Sequence, residues 1–430
     1  MNSEIEKVDE PHFVALAAID WGDEKHRWAA QTADSPRIER GEMEQSPEAI
    51  EEWVAQLRTR YGEGPLAIAL EQSRGALVGL LRKYAHLHLY PIHSGSAANF
   101  RAALYPSGNK NDPLDADLLL ELLVHHRARL RRLSPDSEAT RRLQQLVEGR
   151  RKLVNEKTRQ SNRLTAQLKI YFPQALTWFE KADAPILGAL LARWPTLEAL
   201  QKARPNTLRT FLREHHCRRP EWIEPFPQEV AQAVPALRDP AVQEPAVATV
   251  QVLLQLLDTL RQGIADFDQR IEAAAQEHPD FFIFDSLPGA GAVMAPRVLA
   301  AFGSQRERYG TAVEMQQYSG IAPVTESSGK SRWVHFRWAC PKFLRQSFQE
   351  WAGHSLGESV WARAYYEQQR ARGSGHQAAV RALAFKWIRI VFRCWKDRVP
   401  YDESRYLEAL RKRGSPLIRA IDAAASTASA

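Results

Sequence analysis

The sequence predicts an α/β domain with a mixed sheet at its N-terminal end, a long helical arm after it, and a mainly α-helical C-terminal domain. Three observations carry this. Residues 13–125 alternate short apolar runs with amphipathic stretches, as strands and helices do. Val250, Leu253, Leu257, Leu260, Ile264, Phe267 and Ile271 then recur in steps of three and four, which is a heptad seam. Beyond Phe281 a Pro-Gly-Ala-Gly turn leads into a further helix.

The first domain unfolds in order. Val14, Leu16 and Ala18 alternate as on a half-buried strand that ends at Asp20. Trp21-Gly22-Asp23 reads as a turn, and His26–Thr32 as the returning strand of a hairpin. Ser46 is a helix N-cap, Pro47 fits the first helical position, and Ile50, Trp53, Val54 and Leu57 fall on one face. Leu66–Leu70 is a short apolar strand ending at Glu71, followed by a helix over 75–84 and a strand over 87–92. A loop around Pro106 precedes a helix that opens with Asp112 and Asp115. An early hairpin followed by strand–helix alternation predicts the mixed sheet.

The four acids Asp20, Glu71, Asp112 and Asp115 are the first chemical signal. An acid at the end of a buried strand is costly unless something positive neutralises it. Two such acids, with a pair one helical turn apart, suit a hard divalent ion such as Mg²⁺ or Mn²⁺ rather than zinc. Taken singly, each acid also fits an exposed turn or a helix cap. Asp23 and Asp117 stand nearby as second choices. His26, His93, His125 and His126 lack zinc-ligand spacing and are read as structural or surface residues.

With 58 Lys and Arg against 51 Asp and Glu, the net charge of +7 is modest, but arginines cluster. Arg141, Arg142, Arg150, Arg151 and Lys152 are the first choice for contacts to a nucleic-acid backbone. Trp333, His335, Phe336, Arg337 and Trp338 form a second, aromatic-basic candidate, which reads equally well as a core strand. The seam over 250–271 fits a self-associating arm or a helix hairpin with 141–170 in the same chain; the arm is favoured. The Pro288-Gly289 turn could offer N–H groups to a phosphate or simply cap its helix. Three distant cysteines imply neither a disulfide framework nor a metal site. No apolar run approaches the roughly 20 residues that span a bilayer, and no signal peptide opens the chain, so a cytoplasmic protein without membrane contact is expected.

These motifs resemble, in order and over nearly the whole chain, the DEDD insertion-sequence transposases, which include the Piv-type DNA invertases. Ile19-Asp20-Trp-Gly-Asp-Glu-Lys-His is similar to the family's first acid strand and turn, Leu70-Glu71-Gln-Ser-Arg-Gly to its second, and Lys110-Asn-Asp112-Pro-Leu-Asp115-Ala to its paired-acid motif. Leu287-Pro-Gly-Ala-Gly and Tyr318-Ser-Gly-Ile-Ala-Pro, with Ser328-Gly329-Lys330, are similar to its C-terminal domain.

The resemblance implies an RNase H-like (RuvC-type) domain over 10–128, a helical coiled-coil region over 129–280 and a C-terminal transposase domain over 281–413, while the small and polar residues that finish the chain read as a flexible tail over 414–430. It implies that Asp20, Glu71, Asp112 and Asp115 hold metal. It also implies that Ser328, rather than its neighbour Ser327, attacks the phosphate to give a phosphoserine–DNA intermediate. Beside that serine, Lys330 and Arg332 could steady the phosphate or simply be solvated. The implied partners are double-stranded DNA at element ends, junction or target, a structured guide RNA encoded by the element, and further copies of the chain as dimer or tetramer. The alternatives are a RuvC-like nuclease or junction resolvase that uses water, and a binding protein with vestigial acids.

Overall fold

The computed structural model describes residues 11–104, 112–329, 331–419 and 421–422. They fall into two compact units, Met1–Pro135 and Asp136–Ala430. The first unit runs past 128, and the stretch beyond its last helix returns to the sheet: Leu133 donates its N–H to Leu89 O at 2.7 Å.

In the first unit, β1 (Ala15–Asp20), β2 (Lys25–Thr32), β3 (Glu39–Glu44), β4 (Leu66–Leu70) and β5 (Leu87–Pro91) form one sheet in the order β3-β2-β1-β4-β5. β1 pairs antiparallel with β2 and parallel with β4, so the sheet is mixed, as the sequence predicts. Strand alternation sends Ala15, Ala17, Ile19, Ile68 and Leu70 to one face. There they meet α1 (Pro47–Tyr61) and α2 (Ala76–Leu81). Ser46 caps α1 by accepting the Ala49 N–H at 3.1 Å. Ile50, Trp53, Val54 and Leu57 are its buried face, as the sequence predicts.

The opposite face is paved with Leu16, Ala18, Ala29, Ala67 and Ala69. Small side chains let a helix lie close. That helix is α4 (Asp112–His126), which follows α3 (Ser94–Leu104). Leucines around most of its circumference are buried, consistent with a helix covered on several sides.

The sequence gives no sign of β3 or α3. β3 reads Glu-Arg-Gly-Glu-Met-Glu, an edge strand whose charges discourage pairing with another chain. Only Met43 in it is buried. Gly41 leaves room for the Trp28 indole, since a Cβ there would come within 2.6 Å of the ring.

In the second unit, α5 (Glu138–Tyr171) runs to six short helices, α6 to α11, within 174–232, and the chain returns along α12 (Pro240–Gln276). α5 and α12 lie antiparallel against each other. Thr140 meets His278 at 2.7 Å, Arg150 pairs with Asp268, and Gly149 receives the Phe267 ring, which a Cβ would meet at 2.6 Å. The heptad seam of α12 is therefore used within the chain. Val250, Leu253 and Leu257 join Leu164 and Leu168 in a core with the short helices. Ile271 and Ala274 join Leu143 and Val147 in the core of the C-terminal helices. The intrachain helix hairpin is thus what forms, rather than a free seam, because α5 carries its own apolar stripe at matching spacing.

The C-terminal helices are α13 (Phe281–Asp285), α14 (Gly291–Phe302), α15 (Ala312–Tyr318), α16 (Lys342–His354), α17 (Val360–Ala371), α18 (His376–Asp397) and α19 (Glu403–Lys412). Trp351, Trp361, Trp387 and Trp395 fill their core. Each indole N–H has an acceptor: Pro288 O, Tyr401 Oη, Ser355 Oγ and Gly303 O, at 2.7–3.0 Å. Leu417, Ile418 and Ile421 are also buried in this core, so the segment carrying them packs on the domain.

Asp136 ties α5 to the C-terminal helices. It is buried, 2.9 Å from the Arg308 guanidinium, and accepts the Ser304 N–H at 2.8 Å and the Gln144 amide at 3.1 Å. Burial alone would raise its pKa, but Arg308 and these hydrogen bonds outweigh it and hold the carboxyl below the ordinary 3.8. A depressed folded pKa means stability that is full above about pH 4 and is lost as pH falls through the folded value. Asp136→Asn is expected to cost this unit about 3 kcal/mol, because it strands a guanidinium and keeps the burial. Urea unfolding at pH 7 and pH 3 checks this. The variant should lose less stability than wild type on acidification, and an equal loss overturns the assignment.

Candidate active site

Asp20 is the last residue of β1, and Glu71 directly follows β4. The parallel register pairs Ile19 with Leu70, so the two acids stand side by side at the same edge of the sheet. Ala18 and Ala69 face α4, and alternation continued by two residues puts Asp20 and Glu71 on that face too. Both are partly exposed. α4 begins at Asp112, whose side chain lies outside the described part of the structure, and brings Asp115 one turn later. Asp115 is only 5% exposed. A carboxylate this buried needs a positive partner, and Arg101 of α3 supplies it through an ion pair. The sequence offers no hint of Arg101, because α3 itself is not legible in it.

Asp117, the second choice among the acids, is turned elsewhere. It accepts from Arg40 Nε of β3 at 2.9 Å and so ties the helix to the sheet's edge strand. Asp23 lies exposed in the β1–β2 turn. That turn is held by His26, which is fully buried. His26 Nδ1 accepts the Gly22 N–H at 3.2 Å, and its Nε2 bonds the Gln45 side-chain oxygen. Burial lowers the His26 pKa, against the Gln45 bond, and favours the neutral ring this arrangement needs. Gly22 has no room for a side chain, since a Cβ would sit 2.1 Å from Lys25 O. His26 is therefore structural, as its lack of ligand spacing suggests, and its structural task is to fix the chain that leaves Asp20.

The donor set offered by these acids is all oxygen, which fits a hard divalent cation. Among the described residues, no three of His, Cys, Asp and Glu stand close enough together to hold a metal ion. The positive charge that buried Asp115 requires is provided by Arg101, which a bound cation would have to share or displace.

Ser328 lies in the second unit, at the end of β6 (Val324–Ser328), which forms a two-stranded hairpin with β7 (Ser331–His335). Ser328 pairs with Ser331 across a two-residue loop, and Gly329 takes the left-handed conformation with φ +57° that such tight hairpins require. Residues directly opposite share a face. Ser328, Ser331, Glu326 and Trp333 therefore lie on one face, and Ser327, Arg332, Thr325 and Val334 on the other. All of these side chains are exposed. The two serines that the sequence leaves as rivals thus point opposite ways. Lys330 lies outside the described residues. Arg332 is exposed on the Ser327 face.

The hairpin also decides the fate of the aromatic stretch. Trp333 is 55% exposed, Val334 60% and Trp338 77%, so the reading of this stretch as a core strand is wrong. A two-stranded ribbon has no second layer to bury it.

The arginine cluster of α5 divides in two. Arg150 pairs with Asp268, and Arg151 lies 3.7 Å from Glu350. Arg142 lies 3.6 Å from Glu277 at an exposed position, and Arg141 and Lys152 are exposed. The Pro288-Gly289 turn holds no open phosphate cradle at Gly289. The Gly289 N–H goes to Glu358 Oε2 at 2.7 Å, and a Cβ there would meet the His354 backbone at 2.6 Å. This glycine serves close packing. Among the described residues no helix is long and apolar enough to cross a membrane.

Two family models match the two halves of this architecture. Residues 17–173 match the DEDD transposase model of the IS110 type, and residues 283–367 match the transposase IS116/IS110/IS902 family. The chain belongs to the IS110 family of transposases. Among individual relatives, the mini-circle protein named as a transposase for IS117 in Streptomyces coelicolor is 27% identical over 92% of this chain and 97% of that protein. The 43.6 kDa protein of insertion element IS110 from the same species is 27% identical over 72% of this chain and 76% of its own length. The 42 kDa protein of insertion element IS900 from Mycobacterium paratuberculosis is 25% identical over 90% and 96%. The first model spans β1, β4 and α4, which carry the four acids, and the second spans the hairpin that carries Ser328.

Proposed function

We propose that this transposase cuts and exchanges DNA strands through a covalent serine–DNA link, with help from a divalent metal ion held by Asp20, Glu71, Asp112 and Asp115. The observation that carries the metal reading is the placement of Asp20 and Glu71 on adjacent parallel strand ends, on the face that α4 covers. The strand order β3-β2-β1-β4-β5, with its antiparallel and parallel halves, supports an RNase H-like domain of the RuvC type. Mg²⁺ or Mn²⁺ bound there would supply charge to stabilise the attacking and leaving oxygens of a phosphoryl transfer.

Ser328 Oγ would give up its proton and form a bond to phosphorus, and the bond to the leaving deoxyribose oxygen would break as that oxygen takes up a proton. Reversal on a second strand rejoins the DNA. A free serine is a weak nucleophile and needs a base. Among the described hairpin residues none serves: Glu326, the nearest acid on the same face, lies 3.4 Å from His335 Nε2 and one alternation step from Ser328.

The partners we infer are double-stranded DNA at the element ends or junction, an element-encoded guide RNA, and further copies of the chain. Arg141 and Lys152, exposed on α5, are the first choice for backbone contacts, with Arg142 beside them. Arg150 and Arg151 would have to leave their carboxylates to join in. Lys330 and Arg332 remain the choice at the hairpin. We place this action on DNA in the cytoplasm.

The test is an end-labelled junction DNA incubated with protein, guide RNA and Mg²⁺, then denatured. A protein–DNA adduct that resists denaturation is expected, and a chelator should remove it. Cleavage that never yields an adduct would favour the water-using nuclease instead.

A further inference from the structure

We infer that Trp333 is a stacking platform for an unpaired DNA base beside the phosphate that Ser328 attacks. The inference rests on the reading of Ser328 as nucleophile, and it adds the state of the substrate: the strand is unstacked there. Trp333 and Ser328 share one face of the β6–β7 ribbon, because Ser328 pairs with Ser331 and Glu326 with Trp333. Along β7 the step from Ser331 to Trp333 is two residues, about 7 Å, which is within one nucleotide's reach of the serine. A large aromatic side chain left 55% exposed on a ribbon with no covering layer contributes nothing to a core. Its flat face suits a base, and base–aromatic stacking tolerates any sequence.

The surroundings favour an anionic partner over an apolar one. Arg345 and Arg381 lie over the Phe336 ring at 4.4 and 4.7 Å, and Trp338 sets its edge against that ring at 5.0 Å. Arg337 donates to Ala322 O at 3.2 Å, and Arg345 to Arg337 O at 3.0 Å. Among the described residues, neither these three arginines nor Arg332 makes an ion pair with a carboxylate. Positive groups interleaved with exposed rings are how proteins hold single strands. A protein partner recognised by apolar contact would not need guanidiniums gathered on Phe336, just past the end of β7, without carboxylate partners. DNA is chosen over RNA because the platform shares its face with the residue assigned to the DNA strand.

The experiment uses the full-length chain and a single-stranded oligothymidylate carrying one 2-aminopurine, with a duplex and an RNA of the same length as comparisons. Wild type and Ser328→Ala should both bind the single strand and quench 2-aminopurine. Trp333→Ala should bind about tenfold more weakly, as expected for one lost stack, and should lose the quenching. Trp333→Phe should restore most of both, and Val334→Ala, on the opposite face, should change neither. Thermal melting shows whether each variant folds. A folded Trp333→Ala that binds and quenches like wild type overturns the inference. So does a loss confined to the RNA, which would assign the platform to that partner. If Ser328→Ala still forms a covalent adduct while Trp333→Ala loses quenching, the nucleophile reading fails and the stacking site stands.

Discussion

Ser328→Ala is expected to abolish the denaturation-resistant protein–DNA adduct and the strand exchange that depends on it, while leaving folding and DNA binding within about twofold of wild type. The magnitude follows from the chemistry. The hydroxyl oxygen is the atom that bonds to phosphorus, and no conservative substitute in an alanine can form that bond. Stability should not change, because Ser328 is exposed and its pairing in the ribbon uses backbone groups. Ser327→Ala is the decisive control. Ser327 sits one residue away on the other face, beside Arg332, and cannot present its hydroxyl where Ser328 does. The expected result is an adduct for Ser327→Ala and none for Ser328→Ala. The opposite pattern would exchange the two roles, and adducts from both variants would remove serine from the mechanism.

The acid strands were legible because their burial forces a pattern. Leu66–Leu70 is a complete apolar run, since it is buried on both faces, and it occupies that range in the structure. α1 was legible for the complementary reason: one buried face, a serine cap and a proline at the first position. β3 and α3 escaped because each is only marginally buried, with Met43 the buried residue of one and Ala97 of the other. The cost of missing α3 was Arg101, whose ion pair with Asp115 changes how the acid set is read. The seam of α12 was legible as a seam, but a stripe of apolar residues does not say which helix will cover it. α5 supplied the answer from within the chain. The two serines show the same limit at smaller scale. Sequence places them side by side, and only the register of the ribbon separates them.

Asp20→Asn is expected to lower strand cleavage by on the order of 10³-fold or more, with little effect on stability. The substitution keeps size and hydrogen-bonding capacity but removes a negative charge, and charge placed against a phosphoryl transition state is where most of the catalysis resides. Stability should hold because Asp20 is partly exposed at the strand end, and an amide there buries no new charge. Asp115→Asn should differ in kind. It would lose activity as well, but it would also leave Arg101 without its partner in a largely buried setting, at a cost of about 3 kcal/mol. Asp117→Asn should differ again. Its carboxylate is spent on Arg40 near the surface, so about 0.5 kcal/mol is at stake and cleavage should stay within about threefold of wild type. A binding measurement separates metal loss from other causes. Millimolar Mg²⁺ or Mn²⁺ should raise the melting temperature of wild type and of Asp117→Asn, because a ligand that binds only the folded state stabilises it. It should not raise that of Asp20→Asn. If Asp20→Asn keeps cleavage within tenfold, or if Asp117→Asn is as damaged as Asp20→Asn, the assignment of the strand-end acids to the metal is wrong. The two aspartates then become equivalent surface acids, and the side-by-side placement of Asp20 and Glu71 would lose its catalytic meaning.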